Sequence, residues 1–96
     1  MLLAVKNTFP LTPAFVRGTH SVLLFPEGVQ IRVVEISGEP ELRRRIESMG
    51  VFTGSVVTVL QHRGHAVLLK SGHTRIAFRH GEALKIYGEQ ILSGTH

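Results

Sequence analysis

The sequence predicts a mainly β fold, a small barrel of five or six short strands with one short α-helix inserted. Three observations carry that expectation. Thr74, Ile76 and Phe78 alternate with Arg75, Ala77 and Arg79, the period of a half-buried strand. Short apolar or β-branched runs are separated at close intervals by glycine turns: Pro26-Glu27-Gly28, Gly54, Arg63-Gly64 and Ser71-Gly72. Between them lies ELRRRIESMGVFTG, Glu41 to Gly54, whose apolar residues follow a helical period instead. Strands this short and this evenly spaced suit a strongly bent barrel, which also hides sheet edges.

Residues 1–20 contain Pro10 and Pro13 and show no period, so they are expected as an N-terminal extension. The barrel is expected over 21–92, with 93–96 as a tail. Val22 to Phe25 reads as a short apolar run closed by the Pro26-Glu27-Gly28 turn. In VQIRVVEI, Val29, Ile31 and Val33 share one face and Gln30 and Arg32 the other; the phase slips at Val33-Val34, which predicts a bulge or a strong bend. Leu42, Ile46 and Met49 fall at i, i+4 and i+7, one face of a helix that Pro40 can begin and Gly50 can end. A helix so short is marginal alone, so it must cap something else. Val56 to His62 predicts the next strand, His65 to Lys70 its return across Arg63-Gly64, and Thr74 to Arg79 a third. Gly81-Glu82-Ala83 is expected to form one helical turn, and Leu84 to Tyr87 a closing strand. The expected core includes Val33, Ile36, Leu42, Ile46, Met49, Val59, Ile76, Phe78 and Ile86.

Composition narrows the chemistry. Ninety-six residues support one modest core. Cysteine is absent, which removes disulfides, thiol nucleophiles and thiolate metal sites. Aspartate is absent as well: the seven acids are all glutamates. A serine triad and a phosphoryl-transfer magnesium site therefore lack their commonest carboxylate. No serine sits in a nucleophile-elbow setting, and Gly50 and Gly54 follow a helix where a phosphate loop would precede one. These features argue against an enzyme. Net charge +4 favours an acidic partner without choosing its kind. The apolar start, Met1 to Val5, is cut short by Lys6 and Asn7, unlike a secretory leader, and no run approaches a membrane span. A cytoplasmic location is expected.

Three segments in order, VQIRVVEISG, LRRRIESMGVFTGSVVTV and TRIAFRHGEALKIYG, resemble the FeoA family over about Ser21 to Ile91. Gly50 and Gly54 match the family's helix stop and turn, although Thr53 stands where the family usually has proline. Ile76, Ala77, Phe78, Arg79, Glu82 and Ala83 match its strand and following turn, with Phe78 in place of leucine. The resemblance implies an SH3-like barrel that assists ferrous-iron uptake by docking, from the cytosolic side, on a FeoB-like membrane transporter bearing a GTPase domain. It also implies regulatory protein contacts, since the same barrel is found fused to iron-responsive repressors.

Arg43, Arg44 and Arg45 lie at roughly 100°, 200° and 300° around the helix from Leu42, so Arg44 faces solvent and the other two flank the apolar stripe. They are expected either as a solvated face, with Arg45 snorkelling over the core edge or pairing with a glutamate, or with Arg75 and Arg79 as a partner-binding surface for carboxylates. Insertion of one arginine at the transporter's GTPase site is a sharper version of the second reading. His62 and His65 bracket Arg63-Gly64 and would be cross-strand neighbours in a two-residue hairpin, able to share a weakly held Fe(II) or Zn(II) if a third ligand converged. An exposed polar turn is the plainer expectation, with no bound metal or cofactor. A weak homo-oligomer is a further expectation. The alternative function is a small basic barrel binding RNA or single-stranded DNA. Proline-peptide binding lacks its aromatic groove, since Tyr87 is the one tyrosine and tryptophan is absent.

Overall fold

The computed structural model describes residues 15–92. The expected extension over residues 1–14 and the tail over 93–96 lie outside the described residues. Six strands form one antiparallel sheet: β1 Thr19–Ser21, β2 Gln30–Ile36, β3 Val56–Arg63, β4 Ala66–Ser71, β5 Thr74–Arg79 and β6 Ile86–Ile91. Their spatial order is β1-β6-β2-β3-β4-β5. Helix α1, Pro40–Ser48, follows β2, and the single turn α2, His80–Ala83, joins β5 to β6. The sheet rolls around a core that includes Phe25, Ile31, Val33, Val57, Val59, Val67, Leu69, Phe78 and Ile86.

Among the described residues the ladder runs from β1 to β5 without closing on itself, so the hidden edges expected from the sequence do not come from closure of these six strands. A side chain ties the two ends together. Ser21, at the end of β1, is buried, and its Oγ donates to the Ala83 carbonyl in α2 at 3.1 Å while accepting the Leu23 N–H. The second bond starts a 3-10 turn over Val22–Leu24, within what the sequence showed only as a short apolar run. A local hydroxyl-to-backbone bond decided the matter, as serine often does. Residues 15–20, expected within the extension, join the fold: β1 pairs with β6 from Thr19↔Glu89 to Ser21↔Tyr87, and Val16 packs against the core.

Both bends in the sheet have identifiable causes. The phase slip at Val33-Val34 is a bulge in the β2–β6 register between Val33 and Glu35, which returns Ile36 to the interior. A second register shift lies between Val59 and Gln61 in β3. At Gly88 in β6, a Cβ would meet the side chain of Ile31 and come within 2.6 Å of the Arg32 carbonyl oxygen. Glycine is needed there for close approach of backbone.

Helix α1 ends in a Schellman motif. Gly50, at φ +109°, donates its N–H to the Glu47 carbonyl, and Val51 donates to the Ile46 carbonyl, while Val51 and Ile46 are both buried. Ile46 is the fully buried anchor; Leu42 and Met49 are half-buried against the core. The other six residues of the expected core, Val33, Ile36, Val59, Ile76, Phe78 and Ile86, are buried. The closing strand begins at Ile86, two residues later than expected, because Leu84 and Lys85 complete the backbone bonds of α2.

Candidate functional site

Arginines Arg43, Arg44 and Arg45 are all exposed on α1, as the helical period requires. Arg45 pairs with Glu82 across the chain, and Glu82 Oε1 also accepts the Arg79 N–H at 3.1 Å. The remaining two share the helix with Glu41 and Glu47 and its cap with Glu39, each three or four positions from one of them, so this end carries mixed charge. A recess of about 380 Å³ here is lined by Glu39, Glu41, Leu42 and Arg45, again with both signs.

The outer face of β3, β4 and β5 is different. Strand register places its residues in three rows. Arg63 lies opposite Ala66, and Ala66 opposite Arg79. Gln61 lies opposite Leu68, and Leu68 opposite Ala77. Thr58 lies opposite Lys70, and Lys70 opposite Arg75. Arg63, Lys70, Arg75 and Arg79 are exposed, and their inward neighbours Val67, Leu69, Ile76 and Phe78 are buried. At the centre, Gln61, Arg63, Ala66, Leu68 and Ala77 line a recess of about 290 Å³. That lies at the bottom of the usual range for a small-molecule cavity.

No acidic residue occurs between Glu47 and Glu82, so β3, β4 and β5 contain none. Among the described residues the single ion pair is Arg45–Glu82, which leaves all four cations of the sheet face without a carboxylate within pairing distance. The residues outside the described range hold no glutamate or aspartate either. Arg75 and Arg79 thus stand where expected, on the face opposite Phe78. Arg63 and Lys70 join them, which sequence reasoning missed. The lack of acid from 48 to 81 was a visible signal for it.

The histidine hairpin is not as expected. Gly64 and His65 form the two-residue loop, with Gly64 at φ +41°, so Arg63 pairs with Ala66 and His62 with Val67. His62 and His65 are therefore not cross-strand neighbours. Glycine at the first loop position suits a II′-type turn, and it moves the turn one residue along. His62 is already engaged: its Nε2 donates to the Phe25 carbonyl at 2.8 Å, and its backbone N–H donates to Glu27 Oε2 at 2.8 Å. Among the described residues, no group of three or more histidine or acidic side chains is placed to hold a metal. No helix of the described residues is long and apolar enough to cross a membrane.

Fold and surface together define a small SH3-like barrel whose distinguishing feature is a cationic sheet face. The chain belongs to the FeoA family: the FeoA domain profile matches residues 21–90. A crystal structure of an iron uptake regulatory protein (FeoA) superposes with a TM-score of 0.72 at 24% identity, covering 77% of this chain and 99% of that one. A FeoA-like protein from Clostridium acetobutylicum gives 0.71 at 22% identity, covering 84% and 96%. A manganese-dependent transcriptional repressor gives 0.72 at 18% identity, covering 84% of this chain but 45% of that longer protein. No curated protein matches the chain. At these identities the structural likenesses establish the fold alone.

Proposed function

We propose that this protein is a non-catalytic accessory module of bacterial ferrous-iron uptake that docks on the cytosolic side of a FeoB-type transporter. Membership of the FeoA family supports the accessory role in iron transport. The observation that carries docking is the sheet face: four exposed cations on three adjacent strands with no carboxylate among them. Guanidinium groups so placed suit carboxylates on another protein. Arg75 and Arg79 belong to the docking surface in this reading, and Arg43, Arg44 and Arg45 to its margin, where Arg45 reaches Glu82 beside the end of β5.

Nucleic-acid binding is the weaker reading. Single-strand platforms stack bases on aromatic rings. Phe25 and Phe78 are buried, and the rows of the β3–β5 outer face hold no aromatic residue. The test is direct binding of the purified chain to a purified full-length FeoB-type transporter in detergent, across a salt series. Saturable binding that weakens as salt rises is expected, because exposed charge contacts are screened. No binding at any salt overturns the docking role.

A further inference from the structure

From the β3–β5 face we infer the chemistry of what it receives: an acidic protein segment carrying one bulky apolar side chain, which seats in the Gln61–Leu68–Ala77 row while its carboxylates meet the surrounding cations. The inference deepens the docking role proposed above and rests on that reading for its biological setting. Three observations carry it. First, Lys70 and Arg75 are direct cross-strand partners. Like charges directly opposite are destabilising in a sheet, and neither has a carboxylate among the described residues to relieve it. An arrangement that breaks a local rule without internal compensation is expected where an outside group supplies the compensation.

Second, the charge is arranged around an apolar centre. Arg63 and Arg79 flank Ala66 in one row, Lys70 and Arg75 lie four residues along their strands in another, and Leu68 and Ala77 lie between them. Leu68 is half-buried and Ala77 exposed, so the middle of the patch is apolar and open on the outer side of the sheet. A recess of about 290 Å³ with Arg63 in its lining, and with Arg79, Lys70 and Arg75 at the neighbouring register positions, is the layout of an interface with a central anchor and a polar rim. Third, the face is built from consecutive strands joined by two-residue loops, Gly64-His65 and Gly72-His73. It is held rigid by the core beneath it and presents its groups without rearrangement.

The helix end offers no equivalent. Its recess mixes Glu39 and Glu41 with Arg45, so an acidic segment would meet repulsion there. A second copy of this chain could bring Glu39, Glu41 and Glu47 to the sheet face, and that outcome is distinguishable by mass.

The experiment is an amide-resolved NMR titration of the full chain with a glutamate-rich peptide holding one central leucine. A matched peptide with serine at that position and a single-stranded RNA serve as comparisons. Saturable shifts confined to the β3, β4 and β5 amides are expected. Binding should weaken at least about tenfold in the R63Q/K70Q/R75Q/R79Q variant, in line with loss of several charge contacts, and should weaken for the serine peptide. Shifts centred on α1, no shifts, equal affinity for the two peptides, or tighter binding of RNA would each overturn the inference. So would a sedimentation mass showing that the face is already filled by a second copy. The peptide result stands apart from transporter binding: a chain that takes the peptide but not the transporter keeps this face and loses the FeoB assignment. A chain that binds the transporter equally well after the four substitutions loses this face and keeps the assignment.

Discussion

The two arginine-bearing regions of this protein make opposite use of the same side chain. On α1, three consecutive arginines form the most conspicuous charge run in the chain, yet Glu41 and Glu47 share the helix, Glu39 stands at its cap and Glu82 engages Arg45. On the β3–β5 face, no two cations are adjacent in sequence, yet strand pairing gathers Arg63, Lys70, Arg75 and Arg79 on one surface without an acid. A run of charge in a helix is spread around its circumference, whereas charge at alternate positions of neighbouring strands adds up on one side. The conspicuous cluster is thus the one interleaved with acids, although Arg45 alone of the three is ion-paired. α1 covers the core through Ile46, and the sheet face is the surface that carries cations without an acid.

If that division is right, the largest stability effects belong to the helix. Ile46→Ala should cost about 2–5 kcal/mol in urea unfolding, the usual range for a fully buried aliphatic residue. Leu68→Ala, on the sheet's outer side, should cost well under half as much; equal costs would erase the distinction. Met49→Asp should destabilise by about 1–3 kcal/mol rather than abolish folding, because Met49 is half-buried and its new carboxylate can reach water. A chain that melts normally with this change does not use α1 as a cap.

Smaller effects sharpen the contrast. Glu82→Ala should cost more than Arg45→Ala, since Glu82 also accepts the Arg79 N–H, while Arg45 is 64% exposed. A double-mutant cycle on the pair should give only about 0.2–1 kcal/mol, as exposed ion pairs do. The smallest effect has the most informative sign. Arg75→Glu replaces the like-charged Lys70–Arg75 pair with an opposite one and should raise stability by about 0.2–1 kcal/mol. The same change should weaken transporter binding. Stability gained as docking is lost marks a position kept for function at the expense of the fold. A loss of stability would show that Lys70 and Arg75 do not repel as placed.

Much of this architecture was legible in the sequence where local pattern and tertiary demand agree. The alternation of Thr74 to Arg79, the bulge at Val33-Val34 and the Pro40-to-Gly50 helix all appear as read, because each is written in residues a few positions apart. What was missed depends on distant partners. β1 is three mostly polar residues that become a strand by pairing with β6 near the other end of the chain. The Val22–Leu24 turn depends on the Ser21 hydroxyl, and an apolar run this short does not distinguish turn from strand. The histidine pair failed by a single residue of register, since the loop places Gly64 first rather than second. At the candidate surface, Arg75 and Arg79 were visible as alternate residues of one strand. Arg63 and Lys70 required the β3–β4 and β4–β5 registers, and the former is shifted between Val59 and Gln61.

Gly88 has a consequence for how the barrel selects its alignment. It lies opposite His20 on one side and Val33 on the other, at the spot where Ile31 and the Arg32 carbonyl leave no room for a side chain. Sliding β6 by one residue in either direction would bring Tyr87 or Glu89 to that spot, and neither fits. The missing methyl group therefore works as a detent: it leaves one seating of β6 between β1 and β2 and blocks the adjacent ones.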